Sequence, residues 1–152
     1  MLELQPPTLH HVGFVVAAIA PAMEGFLRSL NGSWNERVFE DPLQRVRVAF
    51  LTTRPGEPQI ELVEPVGDTS PVRKFLLERG GGLHHLCYET DNLEAEMKAF
   101  RSRRALGVKR PMPAVAFDGR RIAWVVTHEN LLVELLERRL AEPAAPEEPA
   151  IV

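Results

Sequence analysis

The chain repeats itself at an offset of 73 to 74 residues, and this repeat restricts its possible folds more than any other feature of the sequence. The segment His-His-Val-Gly-Phe at 10–14 returns as His-His-Leu-Cys-Tyr at 84–88. Two further strand-like segments also repeat: 47–51 at 121–125, and 60–64 at 133–137. An offset shared by several segments indicates two copies of one supersecondary unit.

Within each copy, hydrophobic periodicity predicts one strand, one helix and then three strands. The predicted strands are 9–17, 36–40, 45–53 and 58–65 in the first copy, and 83–90, 108–115, 120–127 and 131–137 in the second. The predicted class is therefore α+β, with tandem βαβββ modules at 8–66 and 82–138. A unit of about 60 residues is only marginally stable by itself. We expect the two modules to share a core.

Two segments lie outside the modules. Ser70-Pro71 followed by apolar residues and then by Gly80-Gly81-Gly82 predicts a short linking helix at 70–79. Residues 141–152 are rich in Pro, Ala and Glu, which predicts a flexible tail. The prediction is one domain over residues 1–140.

Charge and composition exclude several classes of partner. The 18 basic and 21 acidic side chains leave a net charge of −3, which offers no basic surface to a nucleic acid. No segment approaches the roughly 18 consecutive apolar residues of a membrane span. The single cysteine, Cys87, cannot form an intramolecular disulfide, and the N-terminus lacks a signal-peptide pattern. We predict a cytoplasmic protein with no nucleic-acid or membrane partner.

Four polar residues recur in register on otherwise apolar strands, where an unpaired buried charge is costly. His11 and His85 begin the first strand of each module, and Glu61 and Glu134 lie in the last. A symmetry axis between the modules would make them two equivalent pairs. Imidazole nitrogen with carboxylate oxygen suits Zn, Co, Ni, Fe or Mn, and the absence of thiolates argues against a structural zinc site. The pattern predicts a divalent metal site at these four residues.

A purely structural interpretation stays open, because duplication alone can preserve a pattern and single strand histidines usually just form hydrogen bonds. Other residues receive separate predictions. Glu64 and Glu137 are expected to face solvent, Cys87 to be buried and His128 to be exposed. Four arginines are candidate contacts for an anionic ligand: Arg45, Arg47, Arg120 and Arg121.

These motifs resemble the vicinal oxygen chelate superfamily, which includes glyoxalase I, methylmalonyl-CoA epimerase, extradiol dioxygenases and bleomycin-resistance proteins. The resemblance covers about residues 8–137 and is greatest to methylmalonyl-CoA epimerases. The segments that carry it are 10–16, 41–51, 60–65, 70–76 and 81–89. It implies a curved, incompletely closed eight-stranded mixed sheet of glyoxalase-like type around a metal. The implied ligands are His11, Glu61, His85 and Glu134.

The epimerase resemblance implies removal and return of a proton at a carbon between a thioester and a carboxylate. Glu134 is the first choice of base, and Glu61 could serve the opposite face. Some epimerases have a second base on the strand equivalent to 45–51, which contains no acid here. Two alternatives stay open: a glyoxalase I-type lactoylglutathione lyase, and a metal-free drug-binding protein of the bleomycin-resistance type. The expected substrate is an acyl-CoA or glutathione thioester, and a homodimer is expected from the relatives.

Overall fold

The structure is a computed structural model, and it describes residues 5–139. Within this range the chain forms nine β-strands, three α-helices and one 3₁₀-helical turn. The elements in chain order are β1 Thr8–Val15, α1 Ile19–Leu30, β2 Ser33–Trp34, β3 Phe39–Asp41, β4 Val46–Thr52, β5 Gln59–Pro65, α2 Arg73–Arg79, β6 Gly82–Thr90, α3 Leu93–Ser102, β7 Leu106–Pro113, the 3₁₀ turn Val115–Phe117, β8 Arg121–Val126 and β9 Leu132–Glu137. The predicted tail at 141–152 lies outside the described residues.

All nine described strands belong to one mixed sheet. Their order is β2-β4-β5-β1-β6-β9-β8-β7, and β3 pairs with β4 beside this path. The first strands of the two modules, β1 and β6, lie antiparallel at the centre of the sheet. Each is also paired in parallel with the last strand of its own module, β5 or β9. The α+β class and the open, curved sheet of two βαβββ units are confirmed.

The predicted number of eight strands was wrong because the outer strand of the first module is interrupted. The sequence predicts one strand at 36–40, but β2 and β3 are two short strands that both pair with β4. Between them, Glu36 has a left-handed φ of 63°, and the side chain of Asn35 accepts the backbone N–H of Arg37. Such an Asx turn replaces strand pairing locally. The same place in the second module is filled by β7.

The linking helix also differs from its prediction at one end. The sequence predicts it at 70–79, but α2 begins at Arg73. The hydroxyl of Ser70 is buried without a hydrogen-bond partner in the described range, so the predicted serine cap is not formed. The C-terminus ends as predicted, because Gly80 has a φ of 73° and its N–H donates to the carbonyl of Leu76.

Helices α1 and α3 cover one face of the sheet, whereas α2 packs beside the concave face that carries the candidate site. Met23 of α1 packs with Leu51 and Leu62, and Met97 of α3 packs with strands β8 and β9. Glu64, expected to face solvent, instead accepts the backbone N–H of Ile19 at the N-terminus of α1. A carboxylate there complements the helix dipole. None of the helices within residues 5–139 is long and apolar enough to cross a membrane.

Candidate metal centre

The four central strands each supply one polar side chain to the concave face. In sheet order these are Glu61 on β5, His11 on β1, His85 on β6 and Glu134 on β9. All four are buried, with exposed fractions between 0% and 4%. One ligand atom from each lies within 4.8 Å of the others. The structure therefore brings together all four residues that the sequence singles out.

The distances between these atoms suit ligands of one common ion. His11 Nε2 lies 3.2 Å from His85 Nε2. Glu61 Oε2 lies 3.1 Å from the former and 3.0 Å from the latter. Glu134 Oε2 is 3.6 Å from His85 Nε2. Nitrogen and oxygen ligands about 2.1 Å from an ion, at right angles around it, are about 3.0 Å apart.

One buried atom of the cluster lacks a hydrogen bond. Glu61 Oε2 has no such partner among the described residues, although two imidazole nitrogens are close to it. A buried carboxylate oxygen left in this way is costly. A cation between the three atoms would satisfy it, and two imidazoles with two carboxylates form a donor set that Co, Zn, Ni and Mn accept. The residues present therefore fit a divalent metal.

Two irregularities in the central strand pair explain the repeated His-His doublets. The register between β1 and β6 shifts twice, once around His10 and once around His84. The extra residue of a bulge re-aims a side chain, so two successive residues can lie on one face. As a result, His10 Nδ1 lies 2.8 Å from His11 Nδ1, and His84 Nδ1 lies 2.9 Å from His85 Nδ1.

The outer histidine of each doublet can orient the inner one. Burial is the main cause that lowers the pKa of both His10 and His84 to about 4, so both are neutral at pH 7. A neutral imidazole has one acceptor nitrogen. If His10 Nδ1 accepts the Nδ1–H of His11, the Nε2 lone pair of His11 is free for a metal, and the same holds for the other doublet. Sequence reasoning missed this role; the available signal was a doublet that breaks strand alternation.

Aromatic rings and one glycine enclose the inner histidines. Phe117 stacks on His11, with ring centroids 5.8 Å apart and planes at 21°. Trp124 meets His85 edge to face, with centroids 4.9 Å apart. Gly13 lies directly opposite His85 in the strand pair, and a methyl group at this glycine would overlap the imidazole. The close approach of the ring to β1 therefore requires glycine.

The two glutamates differ in acidity. Burial raises the pKa of Glu134 to about 8, and the charge of Glu61 acts in the same direction. Burial opposes ionisation of Glu61 as well, but the charges and close contacts of His11 and His85 outweigh it and hold its pKa well below the usual range. Without a metal, the site holds one ionised and one protonated carboxyl group at pH 7. Such a pair is typical of acid–base sites.

A cavity of about 210 Å³, here called the first cavity, opens beside this cluster. Its walls combine the apolar side chains of Val46, Val48 and Trp124 with Glu61, His85, Glu134 and Lys109. Asp41 also lines it, but its carboxylate accepts backbone N–H groups of Leu43, Gln44 and Val115. Asp41 therefore holds the 3₁₀ turn in place, and the acid–base candidates are the two glutamates.

The arginines predicted to contact an anionic ligand do not line the first cavity. Arg47 and Arg121 form ion pairs with glutamates on the other face of the sheet. Arg45 is exposed, and Arg120 lines a different cavity. Lys109 is a cation of the first cavity that sequence reasoning missed.

The remaining side-chain predictions have mixed outcomes. Cys87 is fully buried, as expected, and burial raises the pKa of its thiol further above the ordinary value. His128 is exposed, also as expected. Glu137 was expected to face solvent, but its carboxylate is bound by Arg121. These residues therefore add neither a thiolate nor a fifth histidine to the site.

The chain belongs to the glyoxalase/bleomycin resistance protein/dioxygenase superfamily, whose family model matches residues 10–124. It is 31% identical over 132 residues to the uncharacterized protein YqjC of Bacillus subtilis, covering 85% of this chain and 91% of that protein. It is 35% identical over 88 residues to the mitochondrial methylmalonyl-CoA epimerase of Mus musculus. That alignment covers 57% of this chain and 48% of the mouse protein, about half its length.

A solved structure gives the same relationship. The crystal structure of methylmalonyl-CoA epimerase from Mycobacterium tuberculosis matches with a TM-score of 0.76 and 29% identity, covering 92% of this chain and 94% of that one. The resemblance to this superfamily, and to the epimerases within it, is therefore confirmed. The chain is related to enzymes that epimerise methylmalonyl-CoA.

Proposed function

We propose that this protein is a metal-dependent epimerase that moves a proton at the carbon next to a thioester carbonyl, with a methylmalonyl-CoA-like substrate. The observation that carries the proposal is the pair of buried glutamates with opposite acidity, joined to two histidines in one cluster. The similarity to the mouse and mycobacterial epimerases supports an acyl-CoA thioester as the substrate class. A cytoplasmic location and a homodimer stay predictions.

In the proposed site, His11, Glu61, His85 and Glu134 hold the metal. A divalent cation bound there would supply Lewis-acid stabilisation of negative charge on the substrate's carbonyl oxygen. The outer histidines of the doublets keep the inner imidazoles in the tautomer that presents Nε2. Phe117 and Trp124 exclude water from the imidazoles, which strengthens every electrostatic interaction nearby.

Glu134 is the proposed base. A base must reach the proton within hydrogen-bonding distance and works best with a pKa near the operating pH. The side chain of Glu134 lines the first cavity, and a bound cation would lower its metal-free pKa of about 8, so that the carboxylate is ionised and can accept a proton near pH 7. Inversion also needs a proton donor on the opposite face of the carbon. Glu61 is the proposed group on that face, because β4 presents Val46 and Val48 to this cavity instead of an acid; it is ionised in the metal-free chain, so it would first take up from solvent the proton that it donates.

The first cavity also limits the substrate. A space of about 210 Å³ with valine and tryptophan walls suits a short branched acyl group better than a long chain. The ammonium of Lys109 would attract an anionic part of the ligand. We therefore propose a small acyl group that carries a carboxylate.

One observation favours a second candidate function. Because β4 offers no acid to the cavity, a reaction that needs a single carboxylate for proton transfer fits this wall equally well. Glyoxalase-type isomerisation of a glutathione thiohemiacetal is such a reaction, since one group can both remove and return the proton. A metal-free binding protein is the alternative from a different class.

The test is proton–deuteron exchange at the α-carbon of methylmalonyl-CoA in heavy water, followed by NMR with metal content measured on the same sample. We expect fast exchange with the parent chain and at least a ~100-fold loss in Glu134→Gln, because positioned acid–base groups contribute at least this much. Glu61→Gln, which keeps an oxygen that can bind metal, should retain exchange but lose inversion.

Three results would contradict parts of this assignment. Metal-loaded protein that exchanges no faster than buffer removes the epimerase proposal, and turnover of the glutathione adduct of methylglyoxal would then select the glyoxalase-type reaction. Equal loss of exchange and inversion in Glu61→Gln removes the division of roles between the glutamates. No bound metal under metal-replete conditions favours the binding protein.

A further inference from the structure

The concave face has a second cavity, of about 330 Å³, which the proposed reaction does not use. Ala116 and Phe117 line both cavities and therefore lie between them. The internal repeat relates the two cavities to each other. Residues of the first cavity and their repeat equivalents in the second are His84 and His10, Lys109 and Asn35, Trp124 and Phe50, Leu132 and Gln59, and Val46 and Arg120.

The chemistry of the two cavities is nevertheless different. The first is lined by three carboxylates, those of Asp41, Glu61 and Glu134. The second has no carboxylate among its lining residues in the described range. In place of Val46 it has the guanidinium of Arg120, and in place of Leu132 the amide of Gln59. The repeat has therefore produced one acidic cavity and one that is polar and cationic.

Three polar side chains of the second cavity use an acceptor atom in a hydrogen bond and keep a donor group that a ligand could contact. The side-chain oxygen of Asn35 accepts a backbone N–H, so its NH₂ group remains. Thr52 Oγ1 accepts the amide of Gln59 at 3.2 Å, so its own hydroxyl proton remains. His10 uses Nδ1 toward the neighbouring imidazole, so Nε2 remains. Apart from the amide oxygen of Gln59, whose nitrogen donates to Thr52, these spare groups are donors, and a site of this kind recognises an acceptor-rich ligand.

The guanidinium of Arg120 is held in position at this cavity. Its Nε donates to the carbonyl of Phe117 at 3.4 Å, and its Nη1 donates to the carbonyl of Glu137 at 3.3 Å. Nη1 is also 3.7 Å from a carboxylate oxygen of Glu89. These contacts within residues 5–139 leave Nη2, on a side chain that is only 21% exposed. A fixed, partly buried guanidinium forms strong hydrogen bonds with oxyanions.

We propose that the second cavity binds a small organic carboxylate through Arg120, Asn35 and Thr52. The aromatic rings of Phe39, Phe50 and Phe117, which also line the cavity, would receive the apolar body of the ligand. The ligand class is therefore a carboxylate attached to a small apolar or aromatic group. This site contains none of the four proposed metal ligands and does not depend on the proposed reaction, although His10, which lines it, contacts the ligand His11.

The test is a titration of the full chain, as purified, with benzoate and in a parallel arm with inorganic phosphate, followed by ¹H–¹⁵N NMR. We expect saturable benzoate shifts at the side-chain amides of Asn35 and Gln59 and at Arg120 Nε. Arg120→Leu should weaken benzoate binding at least about tenfold, the loss of one charge-assisted hydrogen bond. The control Lys109→Leu changes a cation of the first cavity and should alter benzoate affinity less than about twofold.

Other outcomes would overturn the proposal. Shifts confined to the first cavity, or benzoate binding that Arg120→Leu leaves unchanged, would assign the anion to the metal cluster and Lys109. Phosphate that binds more tightly than benzoate would overturn the carboxylate assignment. If Arg120→Leu does not fold, Asn35→Ala removes a donor at the end of an exposed loop, and unchanged benzoate affinity in that variant would equally reject the site.

Discussion

The two modules present the same pair of metal-facing side chains but enclose it with different walls. His11 with Glu61 and His85 with Glu134 come from equivalent strands, and β1 and β6 pair antiparallel so that both pairs converge. The walls differ: Val46, at the start of β4, lines one cavity, and its repeat equivalent Arg120, just before β8, lines the other. Duplication thus places the metal-facing side chains, whereas residues that differ between the modules determine the chemistry of each cavity.

The same comparison applies inside the cluster. Glu61 and Glu134 are equivalent by sequence, but Glu61 Oε2 contacts both inner imidazoles. Of the two inner imidazoles, Glu134 Oε2 is close only to that of His85, at 3.6 Å from Nε2. Its Oε1 accepts a hydrogen bond from the thiol of Cys87 at 3.7 Å. Contact with two imidazoles favours the ionised form, whereas contact with a neutral thiol gives much less support. Local surroundings, not the repeat, therefore determine which of the two carboxyl groups is ionised in the metal-free chain.

The largest expected difference between the modules is at the positions beside the inner histidines. Gly13 and Cys87 are equivalent by the repeat, but only Gly13 is overlapped by an imidazole if it gains a methyl group. Gly13→Ala should lower the free energy of unfolding by about 1–3 kcal/mol, the cost of overpacking, and weaken metal binding by moving His85. Cys87→Ala removes one buried sulfur and should cost about 1 kcal/mol.

Urea unfolding of the metal-free chain measures both losses, and chelator competition measures the affinity for metal. Equal losses in the two variants would mean that both modules tolerate a changed side chain beside the inner histidine equally well. In that case the close approach of His85 to β1 is not a constraint on the site.

The outer histidines test whether the modules support the metal equally. His10→Ala and His84→Ala should each reduce metal affinity about 10- to 100-fold, because each removes the partner that fixes the tautomer of a ligand. His128→Ala, at an exposed histidine, is the matched control and should leave the affinity unchanged. Chelator competition with Co²⁺ measures all three. Unchanged affinity in both doublet variants would show that His10 and His84 only fill space.

Much of this architecture could be predicted because it depends on long repeats and on alternation. The offset relates segments far apart in sequence, so it predicts two modules and places His11, Glu61, His85 and Glu134 in equivalent strands. The bulges at His10 and His84 could not be predicted, because they arise from pairing between strands of different modules. The broken outer strand depends on the left-handed backbone of Glu36, a residue with no strong preference for it.

The unlike acidities of the glutamates escaped prediction for a similar reason. Residue type and spacing are the same in both modules, and the difference arises from which imidazoles and thiol lie within a few ångströms of each carboxylate. The helix-start error at Ser70 has a local cause, since the serine hydroxyl is buried away from the backbone it was expected to cap. The sequence therefore predicts what depends on repeats and periodicity, but not what depends on contacts between side chains far apart in the chain.

The smallest expected effect separates the two glutamates by pH in the metal-free chain. Glu134 has an ordinary pKa of 4.5 and one of about 8 in the fold, so between these values the folded chain binds more protons than the unfolded chain. Its contribution to stability therefore falls as pH rises through this window. The lowered pKa of Glu61 has the opposite sign, and its contribution is complete above 4.5 and lost only at lower pH.

His10 and His84, whose pKa values fall from 6.5 to about 4, make stability rise with pH, but only up to about 6.5. Between pH 6.5 and 8, Glu134 is thus the group of the cluster that sets the slope. Urea unfolding of chelator-treated protein should show stability falling there by at most about 1.4 kcal/mol per pH unit. Glu134→Gln should flatten the slope while Glu61→Gln does not. The same slope in all three chains would mean that the two glutamates are as alike in environment as they are in sequence.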